Sequence, residues 1–208
     1  MDKIKIFRRL YICLGSLFIA SLTVHPYPGS YILKALPILI MAYLSYSYLK
    51  GCVKILMVSA FLFCTAGDVL LDVSRVNYFV PALVSFMIAH ILYSVVFFKD
   101  FKFKKQRLII VAAIIIYVSL IFCLSELGSL FIPVLIYILV ITIMGIIVSF
   151  SDRPINGVLL GVLLFIVSDS LIAINKFIHP LPYSTFLNIT IYYWAQYEIG
   201  MGMLLDKK

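Results

Sequence analysis

Long apolar runs separated by short polar breaks make up nearly all of the chain. A helix crossing a hydrocarbon core of roughly 30 Å needs about 20 residues. Eight runs approach that measure: Leu10–Val24, Tyr31–Leu49, Cys52–Asp72, Phe79–Phe98, Leu108–Leu124, Leu130–Phe150, Gly157–Asn175 and Phe186–Leu205. Their apolar residues are continuous instead of alternating, which favours helices over barrel strands of about ten alternating residues. The expected fold is all-α, a polytopic membrane bundle of eight transmembrane helices forming one integral membrane domain over residues 1–208. The breaks HPYPGSY, VSRVN, SELG, SDRPIN and KFIHPLPYS read as turns and short connections. The opening MDKIKIFRR and the apolar run after it look like a signal peptide. HPYPGSY has no small-residue cleavage pattern and leads straight into another run, so this segment is expected to stay as the first span.

Composition removes the soluble alternatives. Hydrophobic residues make up 64% of the chain and charged residues 12%, with a mean hydropathy of +1.14; a soluble domain is nearer half apolar. A net charge of +8 would suit a nucleic-acid partner, but the distribution of the cations points to topology instead. With eight spans, 14 of the 17 Lys and Arg residues fall on the side of the amino terminus, leaving Lys34, Arg75 and Lys176. That asymmetry predicts both termini in the cytoplasm, and the plasma (inner) membrane if the chain is bacterial. No nucleic-acid partner is expected. Cys13, Cys52, Cys64 and Cys123 all fall within runs at no metal-like spacing and are expected to be packed thiols.

Against this background the polar residues inside the runs stand out. The third run reads FLFCTAGDVLLD, with Asp68 and Asp72, and the fourth contains MIAHILY, with His90 and Tyr93. An ionisable side chain at bilayer depth costs a few kcal/mol or more, so such residues are expected to face a polar interior and to act there. The pattern returns about a hundred residues later, where Asp169 follows Ser168 as Asp68 follows Gly67, and Lys176 stands where Arg75 stood. Ala89-His90 aligns in turn with Ala195-Gln196. Four spans separate the copies, which predicts two parallel four-helix repeats, about 1–106 and 107–208. Helical spacing puts Tyr192 and Tyr193 on a face with Gln196, and His90 with Tyr93. These sets suit a cavity lined by the third, fourth, seventh and eighth spans, with Lys34 reaching in from the second.

The motifs FxxxGDxxL, AHxxY, LLFxxSD and YYxAQ, with a lysine at the head of the second span, resemble the lysoplasmalogenase family of eight-span membrane proteins, also called the YhhN-like family. Where that family has a proline directly after the lysine, this chain has Lys34-Ala35-Leu36-Pro37. The resemblance implies hydrolysis of the vinyl ether bond of lysoplasmalogens to a fatty aldehyde and a glycerophospho-base. A vinyl ether hydrolyses once its β-carbon is protonated, giving an oxocarbenium ion that water captures. Two neighbouring carboxyls in a low-dielectric site do not easily both carry charge, so they divide the acid and base roles. Asp68 and Asp169 are the expected catalytic pair. Lys34, Asp72, His90, Tyr93, Ser168, Tyr192, Tyr193 and Gln196 are expected to support the site or bind substrate. Arg75 and Lys176 are the candidates for the substrate phosphate near the outer interface.

The expected partners are a lysophospholipid, water and membrane lipid. No cofactor and no metal are expected, because no close ligand spacing links His90 to the aspartates. Duller readings stand beside these: the aspartates as ion pairs with Lys34 or a neighbouring cation that only fix packing, and His90 as a packed core residue. The rival from another class is a proton-coupled small-molecule or lipid transporter using the same aspartates. Glu198, deep in the eighth span and off the face of Gln196, has no assigned role.

Overall fold

The computed structural model describes residues 2–152 and 155–205. The charges of Arg153, Lys207 and Lys208, counted above for topology, lie outside the described residues. Among those described there are eight α-helices and no strand: α1 Asp2–Ser21, α2 Ser30–Tyr48, α3 Gly51–Val73, α4 Phe79–Phe98, α5 Leu108–Leu124, α6 Phe131–Ser149, α7 Leu160–Phe177 and α8 Ser184–Leu205. Six of them, α2 to α7, are long and apolar enough to cross a membrane by length and composition. This is therefore an integral, multi-pass membrane protein. α1 carries Lys3, Lys5, Arg8 and Arg9, and α8 interrupts its apolar run with Asn188, Gln196 and Glu198. The eight helices thus coincide with the eight expected runs, while two of them are less apolar than the rest.

Two details differ from the sequence reading. α1 starts at Asp2 and not near Leu10, because Lys and Arg are good helix formers and nothing in the opening segment breaks the helix. SDRPIN was expected to be a simple turn, yet a π-helical turn, Ile155–Leu159, leads directly into α7.

The chain divides into two compact units, residues 1–92 and 93–208, with the division inside α4. The expected repeats, about 1–106 and 107–208, concern likeness between halves and are a separate matter from this division. In the first unit α2 packs against both α1 and α3. The α2–α3 turn is tight: Leu49 and Lys50 are extended and Gly51 takes φ +57°, a left-handed conformation that glycine adopts without a Cβ clash. Ile38, Met41, Leu44, Met57, Ala60 and Phe61 fill the α2–α3 seam with no measurable exposure. α4 is held to α3 by the Ser85 hydroxyl, which donates to the Phe63 carbonyl at 2.7 Å. Beside it, the Phe86 ring lies so close to Gly67 that a Cβ there would come within 2.6 Å of it.

In the second unit α7 packs closely on α8, and α5 packs on α6 and α7. Small residues permit the α7–α8 approach. A Cβ on Gly161 would fall 2.7 Å from the backbone nitrogen of Ile199 and 2.8 Å from the Ala195 carbonyl oxygen. The ends are tied by the α4–α5 connection. Lys102 N donates to Phe150 O at 2.6 Å, Asp152 N donates to Asp100 O at 2.9 Å, and Arg107 donates to the carbonyls of Ser149 and Ser151 at 3.0 and 2.9 Å. Arg107 thereby satisfies carbonyls at the carboxyl end of α6, where a cation also suits the helix dipole.

Candidate functional site

The polar residues of the first unit assemble from the antiparallel pair α2 and α3. Ser30 and Lys34 are one turn apart on α2, and Asp68 and Asp72 are one turn apart on α3, so the two helices meet through two polar rungs. In the deeper rung the Lys34 ammonium lies 3.4 Å from a carboxylate oxygen of Asp68 and donates to the Asp68 carbonyl at 3.1 Å. Both residues are buried, at 3% and 2% exposure. In the other rung Asp72 accepts from the Ser30 hydroxyl, and His25 Nε2, from the α1–α2 connection, lies 3.1 Å from its other oxygen. The Asp72 side chain is 5% exposed and that of His25 22%. This second rung therefore reaches toward the surface while the Lys34–Asp68 rung does not. His90 lies on α4 with no exposure at all.

The second unit holds the other aspartate. Asp169 of α7 accepts a hydrogen bond from the Tyr137 hydroxyl of α6. Each aspartate thus receives a donor from the helix that precedes its own, Lys34 for Asp68 and Tyr137 for Asp169. Ser168 is bound across the α7–α8 seam by Asn188, whose amide nitrogen donates to the Ser168 carbonyl at 2.7 Å and lies 3.0 Å from its hydroxyl oxygen. A further buried chain runs from Tyr93 through Gln196 to Tyr192. The Tyr93 hydroxyl donates to Gln196 Oε1 at 3.1 Å, and Gln196 Nε2 donates to the Tyr192 hydroxyl at 3.2 Å. Tyr192 also meets Tyr193 and the edge of Phe165, with ring centroids 5.7 and 5.4 Å apart. A buried hydrogen-bonded network of this kind orients its members, because hydrogen bonds are stronger in a low-dielectric interior.

Two other sequence candidates are exposed, and Arg75 is close enough to feel the charge of Asp72. Arg75 is exposed in the connection after α3. Lys176 is exposed in the last turn of α7, its ammonium 5.7 Å from the centre of the Phe177 ring. Glu198 accepts from the indole nitrogen of Trp194 at 3.1 Å on an outward face, which gives it the partner that sequence did not supply. Of the four cysteines expected to be packed, only Cys64 is buried; Cys13, Cys52 and Cys123 are exposed, because each falls on the outward side of its helix. Among the described residues no three of His, Cys, Asp and Glu gather closely enough to hold a metal ion.

Sequence reasoning passed over four residues that now carry the geometry: His25, Ser30, Tyr137 and Asn188. Ser30 and Asn188 were legible in principle, as polar residues one helical turn from chosen ones: Ser30 precedes Lys34 by four, and Asn188 precedes Tyr192 by four. Tyr137, in an otherwise aliphatic run, gave no signal.

The model of the YhhN family matches residues 29–203 of the chain. Lysoplasmalogenase TMEM86A of Homo sapiens is 30% identical over 161 residues, covering 70% of this chain and 64% of the relative. Lysoplasmalogenase TMEM86A of Bos taurus matches with the same identity and the same coverage. The match spans less than two thirds of the length of these curated relatives. No solved structure matches the chain.

Proposed function

The chain belongs to the YhhN family, and from that premise we propose that it is a membrane-embedded hydrolase that cleaves the vinyl ether bond of lysoplasmalogens. The products are a fatty aldehyde and a glycerophospho-base. The observation that carries this reading beyond the similarity itself is the pair of aspartates in apolar helices, each held by a donor from the preceding helix. Lys34 gives Asp68 a compensating charge at 3.4 Å, which suits Asp68 to the carboxylate role. Asp169, with the neutral Tyr137 as donor, is proposed as the acid.

In this scheme Asp169 transfers a proton to the β-carbon of the vinyl ether as the double-bond electrons form the new C–H bond. Water adds to the resulting oxocarbenium carbon and gives its proton to Asp68. The hemiacetal then loses its hydroxyl proton and expels the glyceryl oxygen, which is reprotonated, so that one water is consumed and both carboxyls regain their starting states. Positioned acid–base groups of this kind contribute typically about 10²–10⁴-fold. The Tyr93–Gln196–Tyr192 chain, Tyr193, Ser168 and His90 are proposed to orient substrate and water, and Asp72 to fix α3 against α2. Arg75 and Lys176 are proposed to meet the phosphate. Two four-helix repeats and eight crossings, with both termini cytoplasmic, complete the proposal.

The test is aldehyde release from a 1-alkenyl lysophospholipid by the purified protein in detergent or nanodiscs. Release that depends on both Asp68 and Asp169 supports the reading. Absence of release from any head-group class, by protein shown to be folded, would retire it.

A further inference from the structure

A groove of about 470 Å³ runs between α5 and α7, within the roughly 300–1,000 Å³ typical of ligand sites. Ala113, Ile114 and Tyr117 line it from α5, and Leu163, Ile166 and Val167 from α7. Its depth has a specific origin in α6. A Cβ on Gly145 would come within 3.0 Å of Ile166 and 3.3 Å of Ile114, so the missing side chain lets both isoleucines sink toward α6. They are 4% and 5% exposed and form the floor. Ala113, small and exposed, leaves the trough open above them.

We propose that this groove holds the hydrocarbon chain of the substrate lysolipid, with the reactive end of that chain at the level of Asp169; the inference rests on the function proposed above. The lining has no charged group, and its only polar side-chain atom is the Tyr117 hydroxyl. A peptide segment would bring backbone donors and acceptors that such a lining leaves unsatisfied, whereas a methylene chain brings none. The α7 wall of the groove also leads along the helix toward the proposed acid. Ile166 stands three residues before Asp169, on an adjoining part of the same helix face. Tyr137, which holds Asp169, comes from α6, the helix against which the floor isoleucines Ile114 and Ile166 rest. Tyr117 and Asp169 each stand nine residues into their helices, about 14 Å along the axis. A chain seated in the groove therefore has its first bonds beside the Asp169 carboxyl and its tail toward the start of α7.

The test is chain-length selectivity in Ala113→Trp, with Val167→Trp filling the same trough from the opposite wall. Neither residue belongs to the proposed catalytic machinery. Aldehyde release is measured for 1-alkenyl lysophosphatidylethanolamines of short and long chain. For the long chain kcat/KM is expected to fall by about tenfold or more, as for a filled apolar pocket, and for the short chain to stay near wild type. In parallel, a lysophosphatidylethanolamine with a terminal diazirine is photolysed on the wild-type protein. Label is expected on 109–117 and 163–167, displaced by unlabelled lysolipid and lost in Ala113→Trp. Equal effects at every chain length, or label spread evenly over outward helix faces, would assign the groove to ordinary bilayer lipid and overturn the proposal. A change of oligomeric state in the variants without groove label would assign it to a second copy and overturn it too. Saturable groove labelling by a protein that releases no aldehyde would leave the chain site standing and remove the hydrolase reading alone.

Discussion

Lys34 and Asp68 meet across α2 and α3 with nitrogen and carboxylate oxygen 3.4 Å apart and side chains only 3% and 4% exposed. Such a pair is weak grounds for stability, since the loss of hydration of two charges offsets most of their attraction and an apolar pair often serves packing as well. Ser30 and Asp72, one turn nearer the helix ends, already cross-link the same two helices. A second, deeper and charged rung is thus more than helix register requires. That is the physical reason for reading Asp68 as a working group.

Substituting the two partners separately distinguishes work from packing. Lys34→Met strands the Asp68 carboxylate in an apolar seam and is expected to lower stability by about 3–5 kcal/mol, the usual effect of breaking a buried pair. Asp68→Asn keeps shape and removes charge; it is expected to fold, bind lysolipid and lose aldehyde release by at least about 10². Thermal unfolding in detergent and product release together read both effects. An Asp68→Asn protein with near-normal turnover would return the pair to packing.

Asp169 and Tyr137 are expected to separate acid from support. Asp169→Asn should abolish most hydrolysis, whereas Tyr137→Phe removes one hydrogen bond to the carboxyl and should lower kcat by a smaller factor. If proton transfer to carbon is the slow step, wild-type turnover is also slower in heavy water and falls as rising pH ionises the acid. His90→Gln introduces the residue with which His90 aligns in the proposed repeat, and is expected to be milder than either aspartate change. Turnover in Asp169→Asn equal to wild type would remove that residue from the mechanism.

Most of the helical layout was legible because apolar runs and bilayer-length helices share one length scale. α4 and α5 begin and end where their runs do, at Phe79–Phe98 and Leu108–Leu124. The start of α1 was not, since Lys3, Lys5, Arg8 and Arg9 are polar yet helix-forming and hydropathy marks only where apolarity begins. Asp68, Asp169 and Gln196 announced themselves as polar residues in apolar text. Their partners announced less: Tyr137 is an aromatic among aliphatics and His25 lies in a connection, so pairing with Asp169 and Asp72 emerges only when separate helices are brought together. Arg75 and Lys176 were chosen because each stands at the same distance after its aspartate, but α3 ends at Val73, which turns Arg75 out of the helical register.

Topology is tested with single cysteines at Asn77 and Ser184, which eight crossings place on the same outer face. The background must first lose Cys13, Cys52 and Cys123, all exposed. Both sites are expected to react in intact cells with a membrane-impermeant maleimide. Reaction at only one of them would break the eight-crossing arrangement.

At the α4–α5 connection Asp152 accepts from Lys102 at 2.8 Å and from Lys104 at 2.9 Å. The hydrogen bond and charge of Asp152 raise the Lys102 ammonium above its ordinary value of 10.5. A raised lysine stabilises the folded form fully below its unfolded value and loses that contribution as pH rises through its folded value. The pair is therefore expected to be intact at neutral pH and to weaken only above about pH 10.5. Both partners are solvent-accessible, so the readout is chemical and not calorimetric. Acetylation of Lys102 in mildly alkaline buffer, followed by peptide mapping, is expected to be faster in Asp152→Asn than in wild type; equal rates would show that the contact is not held in solution.

The α7–α8 seam offers a test of the fold that is independent of chemistry. Gly161 faces α8 closely, and an added Cβ would fall 2.7 Å from Ile199 Cγ1 and also 2.7 and 2.8 Å from the backbone atoms Ile199 N and Ala195 O. Backbone cannot swing away as a flexible side chain can, so even Gly161→Ala must push the two helices apart. Overpacking of this kind costs about 1–3 kcal/mol. Helix association within a bilayer also depends on close backbone approach, since lipid tails are as apolar as the side chains that replace them. Moving α8 away also strains the Asn188 bonds to Ser168, at 2.7 and 3.0 Å, next to the proposed acid. Gly161→Ala is therefore expected to lower the unfolding temperature and hydrolysis together, and Gly161→Leu to do so more strongly. Gly128→Ala, at a glycine with open space around it but φ +50°, is the control, with a modest loss of stability from backbone strain and no loss of turnover. A Gly161→Ala protein as stable and as active as wild type would show that the seam is looser than the close approach of α7 and α8 requires.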